Sequence, residues 1–546
     1  MTLCFAGAAT FGAYAQTHVE GQEYFKADQM ANAKDLLNRA LGNAGTNKAV
    51  ANYYLGMIAL NENQNAAAAK YFADGVAADP EYPYNYVGQG EMALKAGNVK
   101  EAEEFFKTAR KFAKKDLAVE IAIARAYDAA DPAKYAKQIG KCVEKVQKKD
   151  MQDPDLLIFL GDQARERKDI GDAAAKYENT KNADKNATAA YVKYANLFTM
   201  VNPDYAVKML QELLSVNPKS ALGQRELAIA YYNKKDYANA VKQYEAYMNN
   251  PSHFDSDENR YAFLLFYGGN FKKGYDFATQ RLAKNPQDFT ALRYQFMNAA
   301  QLPEMKDQTL ALAENLYNVH KANPEANKMA PIDYTLIADE MGKAKRADEA
   351  IEVLKDGIKT NPDNTNLDKQ LAMAYVDKND LASAAEAYKG YLAKTPEPSY
   401  NDYIQQATFL YYAGVQYKAD PAKADQYYAE EEEVLNKAAE AYPGFYKPNK
   451  MRGDIAKAKA AEVPDADEKA IAAAAVPMYT KSLSEYEAMD PANRSNAAKR
   501  DAAEMYLYMG NYYVKNDDNA KGKEMFYKYL EIKPEDNVVR EYADKL

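Results

Sequence analysis

The chain has 546 residues, with 70 Lys and Arg against 79 Asp and Glu, which gives a net charge of −9 at neutral pH. An acidic chain lacks the positive field that collects phosphates, so nucleic acid is not expected as a partner. Hydrophobic residues form 47% of the chain, yet no apolar run reaches the roughly 18 residues needed to span a bilayer, which excludes a membrane-spanning protein. With only 25 Gly and 21 Pro, the composition favours helices over a loop-rich β fold.

The amino terminus carries an apolar stretch over residues 3–15 that ends with the sequence AYA before Gln16. This pattern is typical of the apolar region and cleavage site of a secretory signal peptide, although no basic residue precedes Lys26. We therefore expect residues 1–15 to be the remnant of a signal peptide and the protein to be exported to a bacterial periplasm or cell envelope. The alternative is that residues 3–15 form a helix on the first repeat and that the protein is cytoplasmic.

Pairs of small residues twelve positions apart recur along the chain, and successive pairs begin about 34 residues apart, as from Gly56 to Gly90. The pairs are Gly21/Ala33, Gly56/Ala68, Gly90/Ala102, Ala124/Ala136, Gly161/Ala173, Ala228/Ala240, Ala262/Gly274, Ala338/Ala350, Ala372/Ala384 and Gly510/Gly522. A Leu or aromatic residue follows the second small residue by four positions at Leu37, Phe72, Phe106, Tyr177, Tyr244, Leu354, Tyr388 and Phe526. A proline closes many of these units, at Pro80, Pro218, Pro251, Pro286, Pro362, Pro396 and Pro534.

This pattern predicts pairs of short antiparallel helices. Only Gly or Ala at the crossing point lets two helices approach closely, and the Leu, Tyr and Phe residues then fill the space between neighbouring hairpins. Proline ends the second helix because it cannot continue one. A single hairpin cannot bury its apolar face alone, so the hairpins must stack. The predicted fold class is therefore all-α, an α-solenoid in which helical hairpins build a superhelix.

These residues resemble the tetratricopeptide repeat (TPR) family, whose pattern sets an aromatic residue, Leu-Gly and Tyr before a later Ala, aromatic residue and Pro. The cleanest copy is Tyr54-Leu55-Gly56, followed by Ala68, Phe72 and Pro80. The chain has no Trp, and Tyr occupies the first-helix aromatic position of five units, at Tyr86, Tyr191, Tyr334, Tyr403 and Tyr506. The resemblance implies about fourteen hairpins and a non-enzymatic scaffold that binds segments of other proteins.

Two departures from the period divide the predicted solenoid. Phe296 takes the position of the first small residue in the repeat after Ala262, and from Phe296 to Ala338 the step is 42 residues instead of about 34. A long helix predicted around 305–322 accounts for the additional residues. Beyond Ala407 the spacing loosens, and an Ala-rich stretch over 457–476 is predicted to be helical. The predicted segments are a TPR superhelix over 16–406, an irregular helical segment over 407–505, and a C-terminal repeat with a capping helix over 506–546.

The residue types that carry catalysis or bind metals do not form a recognisable pattern. The three histidines lie in different repeats without carboxylates at ligand spacing, and Cys142 is expected to be a buried small residue. The sequence GQGEMA at 88–93 matches a form of the dinucleotide fingerprint, but it falls in a predicted helix where Gly90 packs. We therefore expect no cofactor, no metal and no catalytic residue. The alternative is an enzyme or ligand-binding protein with a site within 408–505.

In the TPR family, partners usually bind a groove lined by the first helix of each hairpin. The resemblance implies a partner-binding patch on Arg225, Tyr232, Asn259, Phe263, Phe266, Tyr267, Arg293, Met297, Tyr411 and Tyr412. Aromatic residues, Met and Arg are enriched where partners bind most strongly. The alternative is that Phe263, Phe266 and Tyr267 pack on a neighbouring helix. The paired Lys and Asn of the chaperone-binding TPR clamp are absent from these positions, so an acidic chaperone tail is not expected as the partner.

Overall fold

The computed structural model describes residues 18–463 and 467–546. The predicted signal segment, residues 1–15, lies outside the described residues. The described ranges are helical, with none of their residues in a strand, and none of their helices combines the length and apolar composition needed to cross a bilayer. The predicted all-α class is confirmed, and the chain divides into two compact units, Met1–Gln301 and Leu302–Leu546.

Unit 1 consists of helical hairpins followed by one further helix. Its helices are α1 (18–26), α2 (Met30–Leu41), α3 (Lys48–Asn61), α4 (Asn65–Ala78), α5 (Pro83–Lys95), α6 (Val99–Ala113), α7 (Ala118–Ala130), α8 (Ala136–Gln147), α9 (Pro154–Glu166), α10 (Ile170–Ala183), α11 (Thr188–Phe198), α12 (Pro203–Val216), α13 (Ala221–Asn233), α14 (Tyr237–Met248), α15 (Glu258–Tyr267), α16 (Phe271–Lys284) and α17 (Phe289–Ala299). From α3 to α16, each odd-numbered helix packs on the helix that follows it. This is the hairpin arrangement that the repeat predicts.

Unit 2 contains hairpins of the same kind with one irregular insertion. Its helices are α18 (Lys306–Ala322), α19 (Pro331–Lys343), α20 (Ala347–Thr360), α21 (Thr365–Asp377), α22 (Leu381–Lys394), α23 (Tyr400–Gln416), α24 (Pro421–Ala441), α25 (Lys447–Glu462), α26 (Glu468–Ala474), α27 (Val476–Ala488), α28 (Asn496–Lys515), α29 (Asn519–Ile532) and α30 (Asn537–Lys545). Helices α19 to α24 pair in order and α28 pairs with α29, whereas α25 packs on α27 with the short α26 between them. The predicted long helix is α18, and the predicted capping helix is α30.

The break between the units differs from the predicted segment boundaries. It falls between Gln301 and Leu302, inside the 42-residue step that interrupts the repeat. The boundaries predicted at 406/407 and 505/506 lie inside α23 and α28, so a continuous helix crosses each of them. The predicted helical stretch over 457–476 is also interrupted, because α25 ends at Glu462 and α26 begins at Glu468.

Within a hairpin, the small residue of the first helix makes room for the large side chain of the second. Phe72 of α4 is fully buried, and a methyl group on Gly56 of α3 or Gly88 of α5 would overlap its ring. A Cβ on Gly161 would likewise lie 2.6 Å from Cε1 of Tyr177. The Phe72 ring thus packs between the first helices of two successive hairpins. Burying such a ring stabilises the stack by about 2 to 3 kcal/mol.

The residues predicted to fill the space between hairpins are buried at Leu37, Phe72, Phe106, Tyr177, Tyr244, Leu354, Tyr388 and Phe526. The predicted small residue Ala136 differs, because it is exposed at the first position of α8. The buried residues of that helix are Ile139, Cys142 and Val146. The second helix of this hairpin therefore packs in a different register from the repeat.

The first hairpin packs against helices about 200 residues later in the chain. The Glu20 carboxylate of α1 accepts hydrogen bonds from the backbone N–H groups of Ala221 at 3.1 Å and Leu222 at 3.4 Å, at the start of α13. Burial raises the pKa of Glu20 to about 7, although these hydrogen bonds oppose the increase. Arg39 of α2 donates to the carbonyl oxygen of His253 at 3.1 Å. Unit 1 therefore closes on itself instead of remaining an open stack.

Candidate functional site

A cavity of about 290 Å³ opens in unit 1 between α1 and the first helices of the hairpins that follow it. We call it the groove cavity. Its wall combines aromatic residues (Phe25, Tyr53, Tyr54, Tyr82, Tyr84), charged residues (Lys26, Asp28, Arg125, Asp155, Asp162) and apolar residues (Met30, Met57, Ala118, Ile121, Ala122, Ile158), together with Gln22.

The aromatic residues form one continuous wall. The ring centres of Phe25 and Tyr54 lie 4.9 Å apart, and so do those of Tyr53 and Tyr54. Tyr84 continues the wall at 5.4 Å from Tyr53 and 5.2 Å from Tyr82. These separations are those of favourable ring pairs, so the rings support one another and present a preformed surface to the cavity.

Beside the rings, an ion-pair network holds the α1–α2 turn against α9 and α11. The Lys193 ammonium lies 2.7 Å from Oδ2 of Asp28 and 2.8 Å from Oδ1 of Asp162. Arg125 pairs with Asp162 at 2.9 Å, and Arg165 pairs with Asp28 at 2.8 Å. Burial alone would raise the pKa of Asp162, but Arg125 and Lys193 outweigh it and hold this pKa below its ordinary value. The network therefore keeps Asp162 charged and fixes this side of the cavity.

Asp155, in the first turn of α9, is a cavity carboxylate outside this network. Within residues 18–463 and 467–546 its side chain makes no ion pair, and the hydroxyls of Tyr53 and Tyr54 make no hydrogen bond. Burial raises the pKa of both phenols, and the negative charge of Asp155 adds to the increase. The phenols stay protonated, so they and Asp155 offer hydrogen-bond donors and an acceptor to an occupant.

The groove cavity is lined at positions that the TPR resemblance assigns to the groove, but these positions belong to repeats outside the predicted patch. These positions lie three before and one after the first small residue, and they hold Tyr53 and Met57, Ile121 and Arg125, and Ile158 and Asp162. Counting these positions from the first small residue of each repeat could therefore have found these six residues. No sequence signal indicated that α1 would cover them, because α1 reaches this site through contacts with distant parts of the chain.

The structure brings part of the predicted patch together. The ring of Phe263 lies 5.7 Å from that of Tyr232 and 4.3 Å from that of Tyr267, and Phe266 lies 5.1 Å from Tyr267. These four residues lie toward the C-terminal ends of α13 and α15. Tyr267 is 40% exposed, whereas the other three are half-buried. Phe263 and Tyr232 also pack against the buried core, which supports the packing alternative for Phe263.

Two predicted polar residues of unit 1 already have partners within the chain. Arg225 is largely buried and forms two hydrogen bonds to Asp257, at 2.7 and 3.2 Å. Asn259 is exposed, and its Oδ1 accepts a hydrogen bond from Arg281 at 2.8 Å. A partner that used either residue would therefore compete with a contact inside the protein.

The remaining predicted residues are divided between the two units. The guanidinium of half-buried Arg293 lies 5.4 Å from the ring centre of its neighbour Tyr294. Met297 is fully buried, so core packing leaves it no accessible surface and it does not line the predicted patch. In unit 2, Tyr411 is half-buried and its ring lies 5.2 Å from that of Tyr412, which is 51% exposed. A binding role for the accessible residues stays a prediction.

The region 408–505 contains a buried acid, Glu431 of α24. Its side chain is fully buried, and neither carboxyl oxygen has a hydrogen-bond partner within the described residues. Burial, together with the nearby carboxyl groups of Asp454 and Glu432, raises the pKa of Glu431 to about 9. Asp454, unlike Glu431, forms an ion pair, with the Lys450 ammonium 2.7 Å from its Oδ2. Glu431 is therefore a neutral acid at pH 7.

Two other sequence features have packing roles. Cys142 is buried, and burial raises the pKa of its thiol to about 11, so the interpretation as a buried small residue is confirmed. Gly88 and Gly90 lie within α5, where added methyl groups would overlap the rings of Phe72 and Phe106. In the described ranges, no group of three or more His, Cys, Asp or Glu side chains is arranged to hold a metal.

Two family models agree with the hairpin arrangement. A family model described as "Tetratricopeptide repeat" matches residues 343–406, and a second with the same description matches residues 53–117 and 197–253. No curated protein matches the sequence. The C-terminal part of a TPR repeat-containing protein from Cytophaga hutchinsonii aligns at 15% identity and a TM-score of 0.39, over 52% of this chain and 98% of that chain. Yeast Tom70 aligns at 13% identity and a TM-score of 0.29, over 92% of this chain and 97% of that chain. Because both TM-scores are low, the hairpins and the family matches define the fold.

Proposed function

Because this chain is built from tetratricopeptide repeats, we propose that it is a non-enzymatic scaffold that binds a segment of another protein in the groove cavity. The repeats themselves indicate a protein–protein interaction scaffold. The observation that carries the proposal is that the first helices of successive repeats line this cavity with packed rings and unpartnered polar groups. Such a mixture suits a protein segment, because apolar side chains supply contact area and the few polar groups orient the bound chain.

The proposal is tested by filling the cavity without removing a core residue. Ala122 of α7 lines the groove cavity, so Ala122→Trp places a large ring in it. Ala129→Trp is the matched control, because Ala129 is exposed on the same helix and does not line the cavity. Random peptides displayed on phage are selected on the full chain, and the enriched peptides are then synthesised and titrated against both variants.

We expect the enriched peptides to bind the unaltered chain and Ala129→Trp with equal affinity, and to bind Ala122→Trp at least about tenfold more weakly. A loss of about 1.4 kcal/mol of binding energy corresponds to this factor. If no peptide is enriched, or if peptides bind all three proteins alike, the groove cavity is not the binding site and the proposal fails.

The export of the protein is part of the same proposal. It is supported by the apolar stretch over 3–15, which ends in AYA before Gln16, and it puts the scaffold in the periplasm or cell envelope. The intact mass of the protein purified from its native cells tests this. A chain that begins at Gln16 agrees with export, whereas an uncleaved chain in the soluble cell extract favours a cytoplasmic scaffold.

A further inference from the structure

We propose that the groove cavity takes a cationic side chain, a Lys or Arg of the bound segment, with its charge beside Asp155 and its apolar stem on the tyrosine rings. This inference rests on the proposed function, because it specifies the chemistry of the segment that the scaffold binds.

The rings offer the surface that a cation prefers. Tyr53 and Tyr54 are each only 7% exposed, yet they line the cavity, and Tyr82 and Tyr84 extend the same wall. The negative face of an aromatic ring attracts a Lys or Arg cation within about 6 Å of its centre, and the attraction grows where water is excluded. The long apolar stem of either side chain also packs well on rings.

The charges single out one carboxylate. Asp28 and Asp162 already share Lys193, Arg125 and Arg165 in the network. Asp155 has no such partner within the described part of the chain, and its charge reaches the phenols of the rings around it. A charge in a partly buried wall interacts more strongly with an opposite charge than it would in bulk water, so an incoming ammonium or guanidinium group would pair with Asp155.

One cation of the protein competes for this place. Lys26 also lines the cavity from α1, and it interacts with Glu23 one turn earlier on the same helix. Removing Lys26 should therefore strengthen the binding of a cationic segment, whereas a site for an anion would be weakened. The net charge of −9 adds a field that steers basic segments toward the protein.

The experiment uses the groove-dependent peptides, meaning those that bind the full chain and are lost on Ala122→Trp. Each Lys or Arg in them is replaced in turn by norleucine or citrulline, which keeps the shape and removes the charge. The original and neutral peptides are titrated against the unaltered chain, Asp155→Asn, Lys26→Met and the control Glu166→Gln, whose exposed carboxylate lies at the end of α9.

We expect one neutral replacement to weaken binding about tenfold, Asp155→Asn to cause the same loss, and the two changes together to cause no further loss. Lys26→Met should bind the original peptide several-fold more tightly, and Glu166→Gln should bind it unchanged. Groove-dependent peptides without Lys or Arg, or peptides indifferent to both changes, would overturn the inference and leave the scaffold proposal standing. Failure to enrich any groove-dependent peptide would overturn both. Because the peptide replacement needs no protein variant, the test holds even if Asp155→Asn folds poorly.

Discussion

The buried acid Glu431 makes the stability of unit 2 depend on pH. The folded chain keeps this carboxyl group protonated up to about pH 9, whereas the unfolded chain ionises it near the ordinary value of 4.5. Between these two values the folded state binds more protons than the unfolded state, so its stability falls as the pH rises. At pH 7, about 2.5 pH units above the ordinary pKa, holding this proton costs about 3 kcal/mol, at 1.4 kcal/mol per unit.

Replacing Glu431 by Gln removes this cost, because the amide is neutral at every pH. The amide group of the variant brings its own buried N–H donors, which cost about 1 to 3 kcal/mol if they stay unpaired, but this cost does not change with pH. The pH dependence of stability should therefore differ between the two proteins. From pH 5 to pH 8, the unfolding free energy of the unaltered protein should fall by about 4 kcal/mol relative to that of Glu431→Gln.

The assay is urea unfolding at pH 5, 6, 7 and 8, followed by circular dichroism. Glu440→Gln is the control, because Glu440 is exposed on the same helix and should give a constant difference from the unaltered protein. If the difference in unfolding free energy between Glu431→Gln and the unaltered protein is also constant with pH, Glu431 has an ordinary pKa in the folded protein. A difference of opposite sign, with the variant less stable at high pH, would mean that Glu431 is ionised and paired in the folded protein.

Two further predictions concern packing in unit 1. Gly56→Ala should destabilise the protein by about 1 to 3 kcal/mol, because its methyl group meets the Phe72 ring. Gly140 is exposed in α8 with open space around it, so the control Gly140→Ala should stabilise the protein by about 0.5 to 1 kcal/mol. Thermal melting measures both effects. Equal changes in melting temperature would show that a methyl group on Gly56 does not overlap the Phe72 ring. Phe263→Ala combined with Phe266→Ala should lower the melting temperature, since half-buried rings contribute about 2 kcal/mol each; an unchanged melting temperature with weaker partner binding would instead make them binding residues.

Local features of this fold could be predicted from the sequence. The twelve-residue spacing identified the hairpins, and the large residues four positions later are buried as expected. The physical role of the glycines is more specific than the spacing suggested, because Gly56 makes room for the ring of Phe72 on the next helix. Ala136 shows where the pattern fails, because a shifted helix start moved the buried face to Ile139 and Cys142.

The binding site was harder to predict, because it depends on contacts between distant parts of the chain. The groove positions could be found by counting from each small residue, but counting does not say which of them enclose a cavity. Arg225 fitted the pattern for a partner-binding residue, yet its Nε and Nη2 groups both donate hydrogen bonds to Asp257. Met297 fitted it as well, and it lies in the core. Both outcomes depend on neighbours that the repeat pattern does not specify.

The contact of the first hairpin with α13 has a consequence for how this protein is made and how it can change. Repeat arrays with only neighbouring contacts can fold from any point and tolerate the gain or loss of a unit. Here α1 emerges from the ribosome well before α13, so Glu20 finds its partners only after residues near 221 have been translated. Deleting or duplicating one repeat between them would move these partners out of reach, so the number of repeats in this unit should be fixed in evolution.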